Sequence, residues 1–190
     1  MNSEKLKKLV FTGLFTAMVF ISTYAIKIQT PTMGYIHPGD GMVLLAGVLL
    51  GPVYGGFAAG FGSMLSDLIG GYMFYVPATF LIKAFTAIIA YAVFHQAQKQ
   101  LKKIAKIQNY IGVVFAGVIA ELFMVIGYFV FEIFLLAFTT GTGLDAASLA
   151  AGTAASFAGV PFNLVQGLFG VLVSSALYPI IQPAYHKLKA

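Results

Sequence analysis

The chain consists of long apolar runs separated by short polar breaks. The first run, Leu9–Ile26, is about the length of one membrane-spanning helix. A polar, proline-bearing segment follows, KIQTPTMGYIHPGD, and then the apolar block GMVLLAGVLL. After a break at GPVYGG comes FAAGFGSMLSDLI, and after GGYMFYVP comes ATFLIKAFTAIIAYAVF. The longest run is Tyr110–Phe138. A small-residue stretch, TTGTGLDAASLAAGTAAS, precedes the last span, which runs from Phe157 to Ile181. The opening KLKKLVFTGLFTAMVFISTYA imitates a secretory signal, but its apolar run is long enough for a full span, so it is read as a helix.

Gly41–Ile69 is long for one span and short for two, and charge decides between them. Lys5, Lys7 and Lys8 hold the N-terminus in the cytoplasm, because basic loops stay inside. If the segment forms two short helices with a turn at Gly51–Gly56, the cluster Lys99, Lys102, Lys103 and Lys106 also falls inside. So do Lys187 and Lys189. One helix would strand that cluster outside. The expectation is therefore an all-α integral membrane protein, a single domain (1–190) of six transmembrane helices with both termini cytoplasmic. Its second and third helices are shorter than the bilayer. GYIHPGDG, GGYMFYVP and the loop Thr139–Ser156 then all lie outside.

Composition supports the membrane reading. Of 190 residues 59% are hydrophobic and 9% charged, against about a quarter charged in soluble domains. There is no Cys, so thiol chemistry and Cys-based metal sites are excluded, and three scattered His define no metal site. The net charge of +5 does not argue for nucleic acid. All eleven basic residues are Lys, and most flank apolar runs. No Walker loop and no nucleophile elbow is present, so the chain itself hydrolyses no ATP, and no cofactor is expected.

Charge inside a bilayer is costly and faces a bundle interior or a cavity. Asp67, Lys83, Glu121 and Glu132 are such groups, joined by Asn163 and Gln166 on the last span. At about 1.5 Å per residue, Lys83, Glu132 and Asn163 lie roughly 9–10 Å below the outer surface and Asp67 about 5 Å. Four helices thus bring polar groups to one outer level, the level of a binding site open to the outside. Lys83 and Glu132 are candidates to pair. Tyr35, His37, Tyr72, Phe74 and Tyr75 are candidate walls, or else an interfacial aromatic belt. Asp40 reads best as the N-cap of the second helix. Glu121, nearer the cytoplasm, is read as structural or as a contact to another subunit. Gly13-x-x-x-Ala17 makes a small face on the first helix, suited to close approach of another helix.

The blocks GYIHPGDGMVLLAGVLLGPVYGGFAAGFGSMLSDLIGGYMFYVPATFLIKAF, GYFVFE and GVPFNLVQG, in this order, resemble the substrate-binding S components of energy-coupling factor (ECF) vitamin transporters. The resemblance is to the group serving thiamin-precursor pyrimidines and B6 vitamers, and it covers nearly the whole chain. It implies six helices and capture of a vitamin from outside, in the bacterial cytoplasmic membrane. It also implies docking to a membrane scaffold (T) subunit and two cytoplasmic ABC-type ATPases. It places the scaffold face at Gly13 and Ala17, and the pocket at Tyr35, His37, Lys83, Asn163 and Gln166. With Asp67 and Glu132 from the depth argument and Tyr75 from the aromatic loop residues, such a pocket suits a flat, polar heteroaromatic ring. Hydroxymethylpyrimidine is the first expectation; pyridoxine and pantothenate are alternatives. A stand-alone proton-coupled transporter using Glu121 and Glu132, and a ligand-free membrane scaffold, are the competing classes. An intramembrane enzyme is disfavoured, since no nucleophile–base pair is legible.

Overall fold

A computed structural model describes residues 3–100, 108–140 and 143–189. The described residues form seven helices and one two-stranded hairpin. These are α1 (Ser3–Tyr24), β1 (Ile28–Gln29), β2 (Tyr35–Ile36), α2 (Asp40–Leu50), α3 (Pro52–Gly70), α4 (Val76–Gln100), α5 (Gln108–Thr140), α6 (Ala146–Ser156) and α7 (Val160–Lys189). Four helical segments are long and apolar enough to cross a membrane: Glu4–Tyr24, Val76–Gln100, Gln108–Thr139 and Val160–Tyr185. Their outward faces carry large apolar side chains, among them Val10, Phe85, Ile126 and Leu168. Water would penalise that surface and lipid does not.

The Gly41–Ile69 segment is two helices. The break is one residue, Gly51, whose positive φ of 86° a side chain would resist. Pro52 then starts α3 at a position where its missing N–H costs nothing. The expected turn over Gly51–Gly56 is thus shorter, and Val53–Gly56 are already helical. At about 1.5 Å per residue α2 is only roughly 16 Å long, about half a bilayer core. It packs against α1, α3, α4, α5 and α7 and sits at the centre of the bundle. Val43, Leu44, Leu45 and Ala46 are buried there. Gly47 faces the Ala87 carbonyl of α4 so closely that a Cβ would collide with it.

α6 replaces the expected outer loop. Asp145 caps it by accepting from the Ser148 N–H at 2.7 Å, and Gly152 lets it lie against Ile133 and Ala137 of α5. The hairpin pairs Ile28 with Ile36 and Gln29 with Tyr35 in antiparallel register. It joins α1 to α2 over the end of the bundle where α2, α4 and α7 begin and α3 and α5 finish. Lys5, Lys7, Lys8, Lys99 and Lys187 lie toward the opposite end. Lys102, Lys103 and Lys106 lie outside the described residues.

Candidate functional site

At the hairpin end the helices enclose a small, tightly packed cavity of about 20 Å³. Its walls include Thr30, Tyr35 and His37 from the hairpin segment, Asp67 from α3 and Thr79 from α4. Tyr128 and Glu132 come from α5, Asn163 and Gln166 from α7, and Tyr75 from the turn before α4. Seven of the eight residues singled out from sequence line this one space. The eighth, Lys83, is fully buried one helical turn below Thr79 and does not reach the wall.

Each wall is held by hydrogen bonds. Tyr35 Oη donates to Asp67 Oδ1 at 2.6 Å and lies 3.0 Å from Ser66 Oγ. Burial and the negative charge of Asp67 both push the Tyr35 phenol above its ordinary range, so it stays a donor. Thr32 Oγ1 donates to Glu132 Oε1 at 2.8 Å. Tyr75 Oη donates to the Thr32 carbonyl at 2.6 Å and reaches Glu132 Oε1 at 3.2 Å. Glu132 Oε2 is buried, meets no donor among the described residues, and lies against Gly159 in the α6–α7 turn. Tyr128 Oη donates to Thr79 Oγ1 at 3.2 Å.

The pairing differs from the sequence expectation. Lys83 does not meet Glu132; it donates to Asp40 Oδ1 at 2.5 Å, both side chains being fully buried. Asp40 is correspondingly no helix cap: it is the first residue of α2, and Gly39 holds the cap position without a side-chain bond. Its other oxygen accepts from Gln166 Nε2 at 2.7 Å, and Gln166 Oε1 accepts from the His37 backbone N–H at 3.0 Å. His37 Nδ1 accepts from Gly39 N–H at 3.1 Å. Burial pushes the His37 imidazole down to about 3, so the ring is neutral and keeps this acceptor.

Asn163 is buried beside Gln166 and lines the cavity without a side-chain hydrogen bond to any described residue. Tyr72 is a neighbour rather than a wall. Its ring centroid is 4.5 Å from that of Tyr35, and Lys27 sits over Tyr24, Tyr35 and Tyr72 while donating to the Ser66 carbonyl at 3.3 Å. Phe74 is exposed and touches no part of the cavity. Glu121 is buried under Gly167 and Gly170 next to Asp40, away from the cavity, and neither of its oxygens meets a donor among the described residues.

Thr30, Thr32, Thr79 and Tyr128 were not singled out from sequence. Spacing held a signal for two of them: Thr79 is four residues before Lys83 and Tyr128 four before Glu132, hence on the same helical faces. Among the described residues no group of three or more His, Asp or Glu is arranged to hold a metal.

A helical membrane bundle that encloses a polar, aromatic-walled space at one end has the architecture of a membrane-embedded binding component. The chain belongs to the ECF-type riboflavin transporter S component family, whose model matches residues 3–183. It is a transporter component and not itself an enzyme. A solved structure described as "Structure and mechanism of the S component of a bacterial ECF transporter" superposes with a TM-score of 0.60 and 20% identity. That match covers 94% of this chain and 97% of the other, which establishes a shared fold. An uncharacterized protein of Pyrococcus woesei, described as lying in a gap 3′ region, is 42% identical over 72 residues. The match takes in 37% of this chain and about half, 48%, of that protein.

Proposed function

We propose that this protein captures a flat, nitrogen-containing heteroaromatic vitamin from outside the cell for an ECF-type importer, and that riboflavin is its ligand. Hydroxymethylpyrimidine, the first expectation from sequence, is the second ligand to test. Both present a ring face to aromatic walls and a hydrogen-bonding edge to amide and carboxylate groups. The family description supports riboflavin as the first choice. The observation that carries the reading is the convergence of Tyr35, Tyr75, Asp67, Glu132, Asn163 and Gln166, from helices and loops distant in sequence, on one space. Within it the buried Asn163 amide has no partner among the described residues, as a group that meets a ligand would be.

The lysines at the end opposite the cavity favour that end as cytoplasmic, which opens the cavity outward. Six crossings follow if α2 and α3 each traverse their half of the fold and α6 lies at the outer surface. Both termini are then cytoplasmic, in the cytoplasmic membrane. Scaffold docking is assigned to the exposed Gly13–Ala17 face of α1, where a Cβ on Gly13 would meet nothing within 4 Å. Residues on α1 and α3 flank it in a shallow apolar groove lined by Leu9, Thr12, Val53 and Phe57. A membrane T subunit and two ATPase subunits would supply the energy this chain has no motif to supply.

The test is equilibrium binding to the purified protein without ATP. Riboflavin binding that Asn163→Ala weakens, with the melting temperature unchanged, supports the reading. Tight binding of hydroxymethylpyrimidine with none of riboflavin would move the substrate to the second choice.

A further inference from the structure

Lys83, Asp40 and Gln166 form a hydrogen-bonded chain in which Lys83 and Gln166 both donate to Asp40 and the His37 N–H donates to Gln166. It runs from the Lys83 ammonium on α4 to Asp40 on α2, then to the Gln166 amide on α7, and ends on the His37 backbone N–H. An ionised carboxylate only accepts, so the NH₂ end of Gln166 must face Asp40 and its oxygen must face the hairpin segment. Lys83 occupies the other oxygen of that carboxylate, donating to Asp40 Oδ1 at 2.5 Å. Neither Lys83 nor Asp40 lines the cavity, whereas Gln166 and His37 both do.

We infer that Lys83 and Asp40 are positioning residues for ligand capture: from inside the bundle they set the amide of Gln166 and, through it, the hairpin segment that walls the cavity. This deepens the capture reading and rests on it for the ligand. The polarity of the chain makes a sharp distinction among substitutions. In Asp40→Asn, the new amide gives its oxygen to Lys83 and its NH₂ to Gln166. Gln166 must then turn its own oxygen toward that NH₂ and present its own NH₂ to the His37 N–H, donor against donor. In Gln166→Glu, two carboxylates share one cation in a buried space. In the double variant Asp40→Asn/Gln166→Glu the chain is whole again. Lys83 donates to the amide oxygen on α2, the amide NH₂ donates to one oxygen of the new carboxylate on α7, and the His37 N–H donates to the other. Net charge equals that of the wild type.

The test is hydrogen exchange of residues 28–39 in the full-length, detergent-solubilised protein without ligand, alongside riboflavin affinity. Asp40→Asn should speed exchange of that segment by roughly tenfold and weaken riboflavin by about as much, and the double variant should recover most of both. Gln166→Met removes both amide bonds without adding charge and should also speed the segment, which keeps the test decisive if a charge-altering variant fails to fold. Exchange in Asp40→Asn or Gln166→Met as slow as in wild type, or a folded double variant no slower than Asp40→Asn, overturns the inference. The exchange readout needs no ligand. A wild-type protein that binds no riboflavin would therefore count against the substrate assignment, while the exchange pattern still decides the positioning role.

Discussion

Thr32 and Glu132 are separated by 100 residues of sequence and by 2.8 Å in space. That bond pins the tip of the hairpin to the inner wall formed by α5. It leaves Glu132 Oε2 without a donor among the described residues, packed where a Cβ on Gly159 would stand 2.6 Å from it and 3.0 Å from Thr32. Gly159→Ala should therefore displace Glu132 or Thr32 and weaken ligand binding by about tenfold or more, a change of roughly 1.4 kcal/mol. Thr32→Val removes one hydrogen bond of about 1 kcal/mol and should weaken binding less. Calorimetric titration of the two variants gives the order; a Gly159→Ala affinity equal to wild type would contradict the arrangement.

His37 predicts a pH dependence of stability. Above its ordinary value of 6.5 the ring is neutral in folded and unfolded chains alike, and its contribution is constant. As pH falls below 6.5 the unfolded chain takes up a proton that the folded chain refuses until about 3, so stability declines across that window. His37→Asn keeps an acceptor for the Gly39 N–H and does not titrate. Its melting temperature should fall less between pH 7 and pH 5 than that of wild type. Equal slopes would show that His37 is not held neutral.

Glu121 is a buried carboxylate without a donor among the described residues, and it does not reach the cavity. A group of this kind opposes folding unless it is neutralised. Glu121→Gln should keep ligand affinity and leave the melting temperature unchanged or raised. The same variant separates capture from proton-coupled transport. Vesicles holding this protein alone should show no uptake driven by a pH gradient, and uptake abolished by Glu121→Gln would favour the competing class.

The α1 face gives a prediction about partners. Gly13→Leu or Ala17→Leu adds bulk to an exposed surface and disturbs no described core contact. Ligand affinity of the isolated protein should be unchanged. Co-purification with a co-expressed T subunit and ATPases should be lost. Retained assembly would place the docking face elsewhere.

Particular residues show why some of this was legible in the sequence and some was not. Counting residues from the outer surface gave depth along each helix, and depth alone brought Asp67, Lys83, Glu132 and Asn163 to the outer level, although Lys83 does not reach the cavity wall. Depth carries no azimuth, so it favoured Glu132 as the partner of Lys83 when Asp40, at the start of α2, was in reach. Asp40 itself looked like a cap because it precedes an apolar run beside glycines. The split between α2 and α3 was legible because unequal placement of lysines demanded it and Gly51-Pro52 permits it. α6 was not, since Ala, Gly, Ser and Thr have no apolar period; its helix depends on the Asp145 cap and on Gly152 packing against α5. Thr32 was invisible because its role exists only once the chain has closed on Glu132.

The most direct measurement of the central claim is calorimetric titration of riboflavin into the purified wild-type protein and its Asn163→Ala variant, in detergent and without nucleotide. One-to-one binding by the wild type, weakened about tenfold or more in the variant at equal thermal stability, is the predicted result. Equal affinity in the two proteins would place the ligand elsewhere and contradict the assignment of the cavity.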